Sequence, residues 1–169
     1  MKNKTKSFKK GLMLLGTSLV LTGCGTNYDM TEKTFFLVMT NIQAYPEEYV
    51  DKTISFDSYT YELTSTKNEK YLCVARKCSS GFGCKCGKDT IIGFIVSKDL
   101  GLPEPKNQYE DTNDKAWVHV VGQIKSTEVT EFEISGQDNT PETVSFLYLD
   151  VTSFNIIEDY SNLNYYVDK

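Results

Sequence analysis

The spacing of apolar residues changes from helical to alternating a short way into the chain. Between residues 31 and 44 the apolar side chains recur every three or four positions, which predicts a single helix. Pro46 disfavours helical geometry in the residue before it, so the helix should end near Ala44. Beyond that point the pattern predicts strands.

The rest of the chain alternates apolar with polar residues or carries short continuous apolar runs, as β-strands do. Five principal strands are predicted, with a weaker sixth: 52–64, 70–77, 90–97, 116–124 and 144–157, and the weaker 128–135. The first strand puts Ile54 and Phe56 on one face but Tyr59 and Tyr61 on the other, which predicts a β-bulge near residues 57–58. Residues 98–114 are rich in Gly, Pro, Asn and Asp, which predicts an irregular or short helical insert.

These elements predict a mainly β fold. The strand count and the insert between the third and fourth strands are typical of a five- to six-stranded OB-like barrel, here preceded by one N-terminal helix. The alternative is an immunoglobulin-like sandwich, which usually needs seven strands, and only six are found.

The N-terminus carries a different signal. Five lysines precede an apolar run at residues 11–22, which is too short to span a bilayer and predicts a secretory signal peptide over 1–23. Residues 21–24, LTGC, resemble the bacterial lipobox. That resemblance implies acylation of Cys24, with residues 24–30 as acylated cysteine and tether. About 146 residues remain after cleavage, which fits a single domain over 31–169. The protein is then expected on the extracytoplasmic face of the cell membrane, held by its lipid.

Removal of the signal changes the charge. The full chain has a formal charge of −5, and loss of five lysines brings it to about −10. A protein this acidic is repelled by phosphate backbones, so we expect no nucleic-acid partner.

Several segments together resemble one family. They are residues 46–54 (PEEYVDKTI), 71–76, 91–96, 117–122 (WVHVVG) and 156–167. The family consists of uncharacterised bacterial membrane or lipoprotein subunits that carry a C-terminal OB-like domain and are paired with a predicted permease. The resemblance implies the same fold and a permease partner for this chain.

The other four cysteines permit three interpretations, namely a disulfide, a metal site, and free or redox-active thiols. Cys73 lies in the second predicted strand, where a small buried apolar role is expected. Cys78, Cys84 and Cys86 lie in a glycine- and lysine-rich loop, CSSGFGCKCGKD. Cys84 and Cys86 are too close for an unstrained mutual disulfide, so either would pair with Cys78 or Cys73.

A metal site is the second reading. The three loop thiols could bind zinc or cuprous copper, with Cys73, Asp89 or His119 completing the coordination. The third reading is free or redox-active thiols, since neighbouring lysines would lower their pKa.

Catalytic motifs are lacking: the sequence shows no Ser-His-Asp arrangement around a nucleophile elbow, no phosphate-binding glycine loop and no H-E-x-x-H. We therefore expect a non-enzymatic accessory or ligand-binding module, with a metal-related role open, that works with a membrane permease. The alternatives are a thiol-redox module using the Cys78/Cys84/Cys86 loop and a purely structural interaction domain. The many tyrosines could form a sugar-binding face, although strand propensity already accounts for them.

Overall fold

The computed structural model describes residues 27–79, 89–135 and 141–167. The signal peptide, Cys24, Cys84 and Cys86 lie outside these ranges, so the predictions about them stay predictions. Within the described residues, no helix has both the length and the apolar character needed to cross a membrane.

One helix precedes the barrel in the described part of the chain, as predicted. Helix α1 (Phe35–Ala44) buries Phe35, Met39 and Ile42 along one face. It ends at Ala44, and a short 3-10 turn over Pro46–Glu48 leads into the sheet. The helical spacing of the apolar residues therefore identified both the element and the face that it buries.

Seven strands of the described residues form one sheet. They are β1 (Asn27–Met30), β2 (Thr53–Thr64), β3 (Lys70–Ser79), β4 (Asp89–Val96), β5 (Trp117–Ser135), β6 (Pro141–Ile156) and β7 (Tyr166–Val167). Five of them close into a barrel in the order β2-β5-β6-β4-β3, and β3 pairs back onto β2. The β4–β6 contact is parallel and short, whereas the other barrel pairs are antiparallel. This arrangement confirms the predicted OB-like barrel.

The predicted insert between the third and fourth strands is also confirmed. It begins with a 3-10 turn (Lys98–Leu100) and continues as irregular chain to Trp117. Two predicted strands, 116–124 and 128–135, are instead one 19-residue strand, β5, with a register shift between Ile124 and Val129. Residues 27–30, expected within the tether, form β1, which pairs in parallel with the start of β2 and buries Met30.

The predicted bulge in β2 is wrong. Its register is continuous against β5 as far as Tyr59 and continuous against β3 from Tyr59 onward. Ile54 and Phe56 belong to one apolar cluster, whereas Tyr59 and Tyr61 belong to a second. The two pairs of residues lie on opposite faces of β2 by ordinary alternation. Each face packs against a different apolar cluster, and no extra residue is inserted.

The two clusters lie on opposite faces of β3. The first draws side chains from all five barrel strands and from α1 and includes Val74 and Cys78. The second includes Cys73 and Ala75, together with Trp117 and Phe132 of β5 and Phe146 of β6. Gly93 of β4 lies against β3 so closely that an added Cβ would come within 2.2 Å of the Val74 carbonyl oxygen. Glycine is therefore required at this crossing.

Candidate functional site

A cleft of about 540 Å³ opens where β2, β3 and β4 meet the insert. Its walls come from the second half of β2, both ends of β3, the start of β4, the insert, β5 and the C-terminal segment. Its charged and aromatic lining residues are Tyr59, Tyr61, Glu62, Lys70, Lys77, Asp89, Tyr109, Glu110, Lys115, Glu133 and Tyr165. Lys77 and Asp89 lie close to either end of the cysteine-rich loop, so that loop begins and ends at the cleft.

Tyrosines form the aromatic part of the wall. The Tyr59 and Tyr61 ring centroids are 6.4 Å apart, and Tyr109 meets Tyr61 edge to face at 5.8 Å. Tyr59 and Tyr61 are buried, and burial raises the pKa of both hydroxyls. Tyr109 is 81% exposed, so it is the aromatic side chain that a ligand would reach first.

Tyr59 is also fixed by its hydroxyl. That group accepts a hydrogen bond from the Lys77 backbone amide at 2.9 Å and donates to the Tyr165 carbonyl oxygen at 3.3 Å. The ring is therefore held by β3 on one side and by the C-terminal segment on the other. A buried tyrosine with both hydroxyl roles satisfied gives the cleft a rigid floor.

The charges in the cleft are largely paired with one another. The Lys77 ammonium lies 2.7 Å from Asp111 and 3.2 Å from Asp89, and Lys70 lies 2.7 Å from Glu62. Hydrogen bonds from these lysines lower the pKa of Asp111 and of Glu62. Because each of these two cations already has a carboxylate partner, the described lining of the cleft has no strong charge of one sign to attract an ion.

Lys115 shapes the insert from within. Its side chain is 4% exposed, and its ammonium donates to the carbonyl oxygens of Asn107 and Glu110. The same ammonium lies 5.5 Å from the Tyr59 ring centroid and 5.7 Å from that of Tyr165. Burial lowers the pKa of Lys115. The lysine thus closes the loop that carries Tyr109 and holds it against the cleft floor.

The two described cysteines do not share a site. Cys73 and Cys78 are both buried and unpaired, and they lie on opposite faces of β3. Burial raises the pKa of Cys78 to about 12, and the carboxylates of Asp89 and Glu142 add to the effect. Burial raises the pKa of Cys73 as well. For Cys78 the pKa moves in the opposite direction from that expected beside lysines, because its thiol is buried. Lys85 and Lys88, the other lysines near the loop thiols, lie outside the described residues.

The two additional ligand candidates lie apart in the fold. Asp89 begins β4, where it pairs with Lys77 and accepts from the Tyr166 hydroxyl at 3.3 Å. His119 lies on β5, and its two ring nitrogens contact Asp57 at 2.7 Å and Ser55 at 3.1 Å. Among the residues that the structure describes, no group of three or more His, Cys, Asp or Glu side chains is placed to hold a metal ion.

Sequence reasoning missed the Ser55–His119–Asp57 group. Ser55 and Asp57 are two residues apart and therefore share a face of β2, and β5 places His119 directly opposite Asp57. Only the pairing of β2 with β5 joins them. A search for serine and aspartate at this spacing, combined with the OB strand order, would have found the group.

Comparison with known proteins gives one match. The family described as "DUF1980 C-terminal domain" matches residues 24–144, which is more than half of the chain. No curated protein and no solved structure matches.

Proposed function

This chain belongs to the DUF1980 C-terminal domain family, and we propose that it is a lipid-anchored, extracytoplasmic binding module that takes up a neutral oligosaccharide in its cleft. The module works beside a membrane permease, as the resemblance of its segments to permease-paired subunits implies. The observation that carries the proposal is the tyrosine-walled cleft of about 540 Å³ with internally paired charges.

The position of the cleft supports binding. OB-folds bind oligonucleotides and oligosaccharides on the face of their second and third barrel strands, between the loop that joins the first two strands and the loop that joins the last two. In this barrel those strands are β3 and β4. The cleft takes Lys70, Lys77 and Asp89 from them, and Glu133 from the strand before the last loop. A fold alone does not determine its ligand, so the residues that line the cleft decide between the two ligand classes.

The charges that line the cleft favour an oligosaccharide over an oligonucleotide. The lining contains three lysines and four carboxylates (Lys70, Lys77, Lys115; Glu62, Asp89, Glu110, Glu133). The lysines that would contact phosphates already hold carboxylates or carbonyl oxygens. An acidic chain gains little from counterion release on a polyanion, so an oligonucleotide is disfavoured. Tyrosine rings and paired polar groups suit a neutral ligand with many hydroxyls.

The described thiols favour this role over the redox alternative. A redox-active cysteine needs an accessible thiolate, whereas Cys78 is 2% exposed and has a raised pKa. A zinc site would need Cys84 or Cys86 to complete it, and both lie outside the described residues.

The test is calorimetric titration of the purified full-length chain with N-acetylglucosamine tetramer and with maltotetraose. Tyr109→Ala should weaken binding about tenfold, equivalent to about 1.4 kcal/mol, because an exposed ring that covers the ligand is removed. Tyr148→Ala is the matched control, since Tyr148 is also exposed (45%) but lies outside the cleft. No heat with either saccharide, or equal weakening by both variants, would contradict the proposal.

A further inference from the structure

A connected chain of three polar side chains crosses the seam between β2 and β5. Asp57 Oδ1 lies 2.7 Å from His119 Nδ1, and His119 Nε2 lies 3.1 Å from Ser55 Oγ. Strand alternation puts Ser55 and Asp57 on one face of β2, and the ladder pairs His119 with Asp57. The arrangement therefore follows from backbone register as well as from side-chain conformation.

The two contacts suit the Nδ1–H tautomer of a neutral imidazole. An ionised carboxylate only accepts, so the proton on the imidazole lies on Nδ1 and is donated to Asp57. Nε2 of the neutral ring then carries a lone pair and accepts the Ser55 hydroxyl proton. A nucleophile bonded to a base, with the base oriented by a third group, is the arrangement of an activated serine.

We propose that Ser55 is a nucleophile for acyl transfer, with His119 as its general base, Asp57 as the residue that orients the base, and neutral or cationic carboxylic esters as the substrate class. This proposal concerns a site separate from the cleft and goes beyond ligand binding. It differs from the expectation that the chain is not an enzyme, which rested on the lack of catalytic sequence motifs.

The reaction balances with water alone. Ser55 Oγ attacks the ester carbonyl carbon while its proton passes to His119 Nε2, and that proton then leaves with the alcohol as the C–O bond breaks. Water next attacks the acyl-serine and gives its proton to Nε2. Collapse of this intermediate releases the carboxylic acid, and the proton on Nε2 returns to Ser55 Oγ. The net change is ester plus water to acid plus alcohol.

Exposure and charge define the substrate. The side chains of His119 and Asp57 are 34% and 37% exposed, so a solute can reach the group directly. Exposed Asp29 of β1 lies opposite Ser55 in the ladder, and with Asp57 it disfavours anionic esters. The group lies outside the cleft described above.

The expected rate is low. At Ser55, β2 is paired with β1 on one side and with β5 on the other, which commits the strand amides there to the ladder. Those amides cannot serve as an oxyanion hole, and one lost oxyanion donor costs about 10²–10³ in rate. Activated probes are therefore the suitable test.

The experiment treats the purified full-length chain with a fluorophosphonate, which transfers phosphorus to an activated serine and releases fluoride. The label is located by peptide mass mapping. Label is expected on Ser55 and absent in Ser55→Ala, and p-nitrophenyl acetate hydrolysis should disappear in the same variant. His119→Gln and Asp57→Asn should each slow labelling by about 10² or more, in the range of general-base catalysis.

Ser153→Ala is the matched control. Ser153 is exposed and, through Val121, lies in the same cross-strand row as Ser55, but it does not contact the imidazole. Its replacement should leave the labelling rate unchanged. Thermal unfolding of every variant shows which are folded. If His119→Gln does not fold, Asp57→Asn provides the test of general-base catalysis. The proposal is overturned if folded wild type carries no label on Ser55, if Ser153 is labelled equally, or if a folded Asp57→Asn variant is labelled at the wild-type rate.

Discussion

Loss of the Glu32 charge should destabilise the fold by about 2 kcal/mol, because Glu32 neutralises a buried arginine. Arg76 is 1% exposed, and its guanidinium makes two hydrogen bonds to the Glu32 carboxylate, at 2.7 and 2.6 Å. It also donates to the Asn164 carbonyl oxygen and lies over the rings of Phe35 and Trp117. One side chain thus ties the helix start and the C-terminal segment to the barrel.

The magnitude follows from the burial of the pair. Removal of one partner from a fully buried ion pair costs about 3–5 kcal/mol. The Glu32 side chain is 37% exposed, so water can partly replace the lost carboxylate in Glu32→Gln, and the amide oxygen can still accept one bond. These two effects reduce the expected cost to about 2 kcal/mol, or about 4–8 °C in the unfolding midpoint.

Urea and thermal unfolding followed by circular dichroism provide the assay. Glu62→Gln is the matched control, since Glu62 makes an ion pair of similar length with Lys70 but both side chains are well exposed, and its midpoint should barely move. In an Arg76→Met background, Glu32→Gln should cost almost nothing, because the buried charge that Glu32 neutralises has been removed. Equal effects of Glu32→Gln and Glu62→Gln, or an undiminished cost of Glu32→Gln in the Arg76→Met background, would refute the reasoning.

The remaining predictions concern the cysteines. After reduction, Cys78 should resist iodoacetamide in the folded chain near pH 8 and react only in urea, because burial raises its pKa to about 12, as peptide mass mapping will show. Since the folded pKa lies above the reference value of 9.0, the folded chain holds the proton more tightly, and the thiol's contribution to stability should be lost as the pH rises from about 9 to 12. Rapid alkylation of Cys78 in the folded chain would contradict both statements. Cys24→Ala should abolish incorporation of labelled palmitate and release the protein from the membrane fraction, whereas Cys73→Ala should change neither, and a membrane-bound, unlabelled wild type would disprove the lipid anchor.

The sequence predicted the helix and the strands because both depend on the local spacing of apolar residues, and the strand count with the insert then indicated the barrel. The end of α1 at Ala44 followed from Pro46, and the insert followed from its turn-forming residues. The bulge prediction failed because alternation reports which face is buried but not which core covers it. Tyr59 packs in a different apolar cluster from Phe56 because β2 exchanges β5 for β3 there, and this exchange is a tertiary feature.

The candidate sites were less accessible to sequence reasoning. The cleft joins residues as distant in sequence as Tyr61 and Tyr165, which only barrel closure brings together. The charged partners of Lys77 also come from separate elements, so they could not be identified from neighbours in the chain. His119 was considered as a possible metal ligand, but its partners depend on the β2–β5 register.

The central claim, that the cleft is the ligand site, is tested most directly by backbone NMR of the isotopically labelled chain with and without the saccharide that gives heat in calorimetry. If the ligand binds in the cleft, the amide shifts should be concentrated there, including those of Glu62, Lys70, Tyr109 and Lys115. No change is expected around Ser153 on the far part of the sheet, which lies outside the cleft. Shifts confined to that region, or none at millimolar saccharide, would contradict the account.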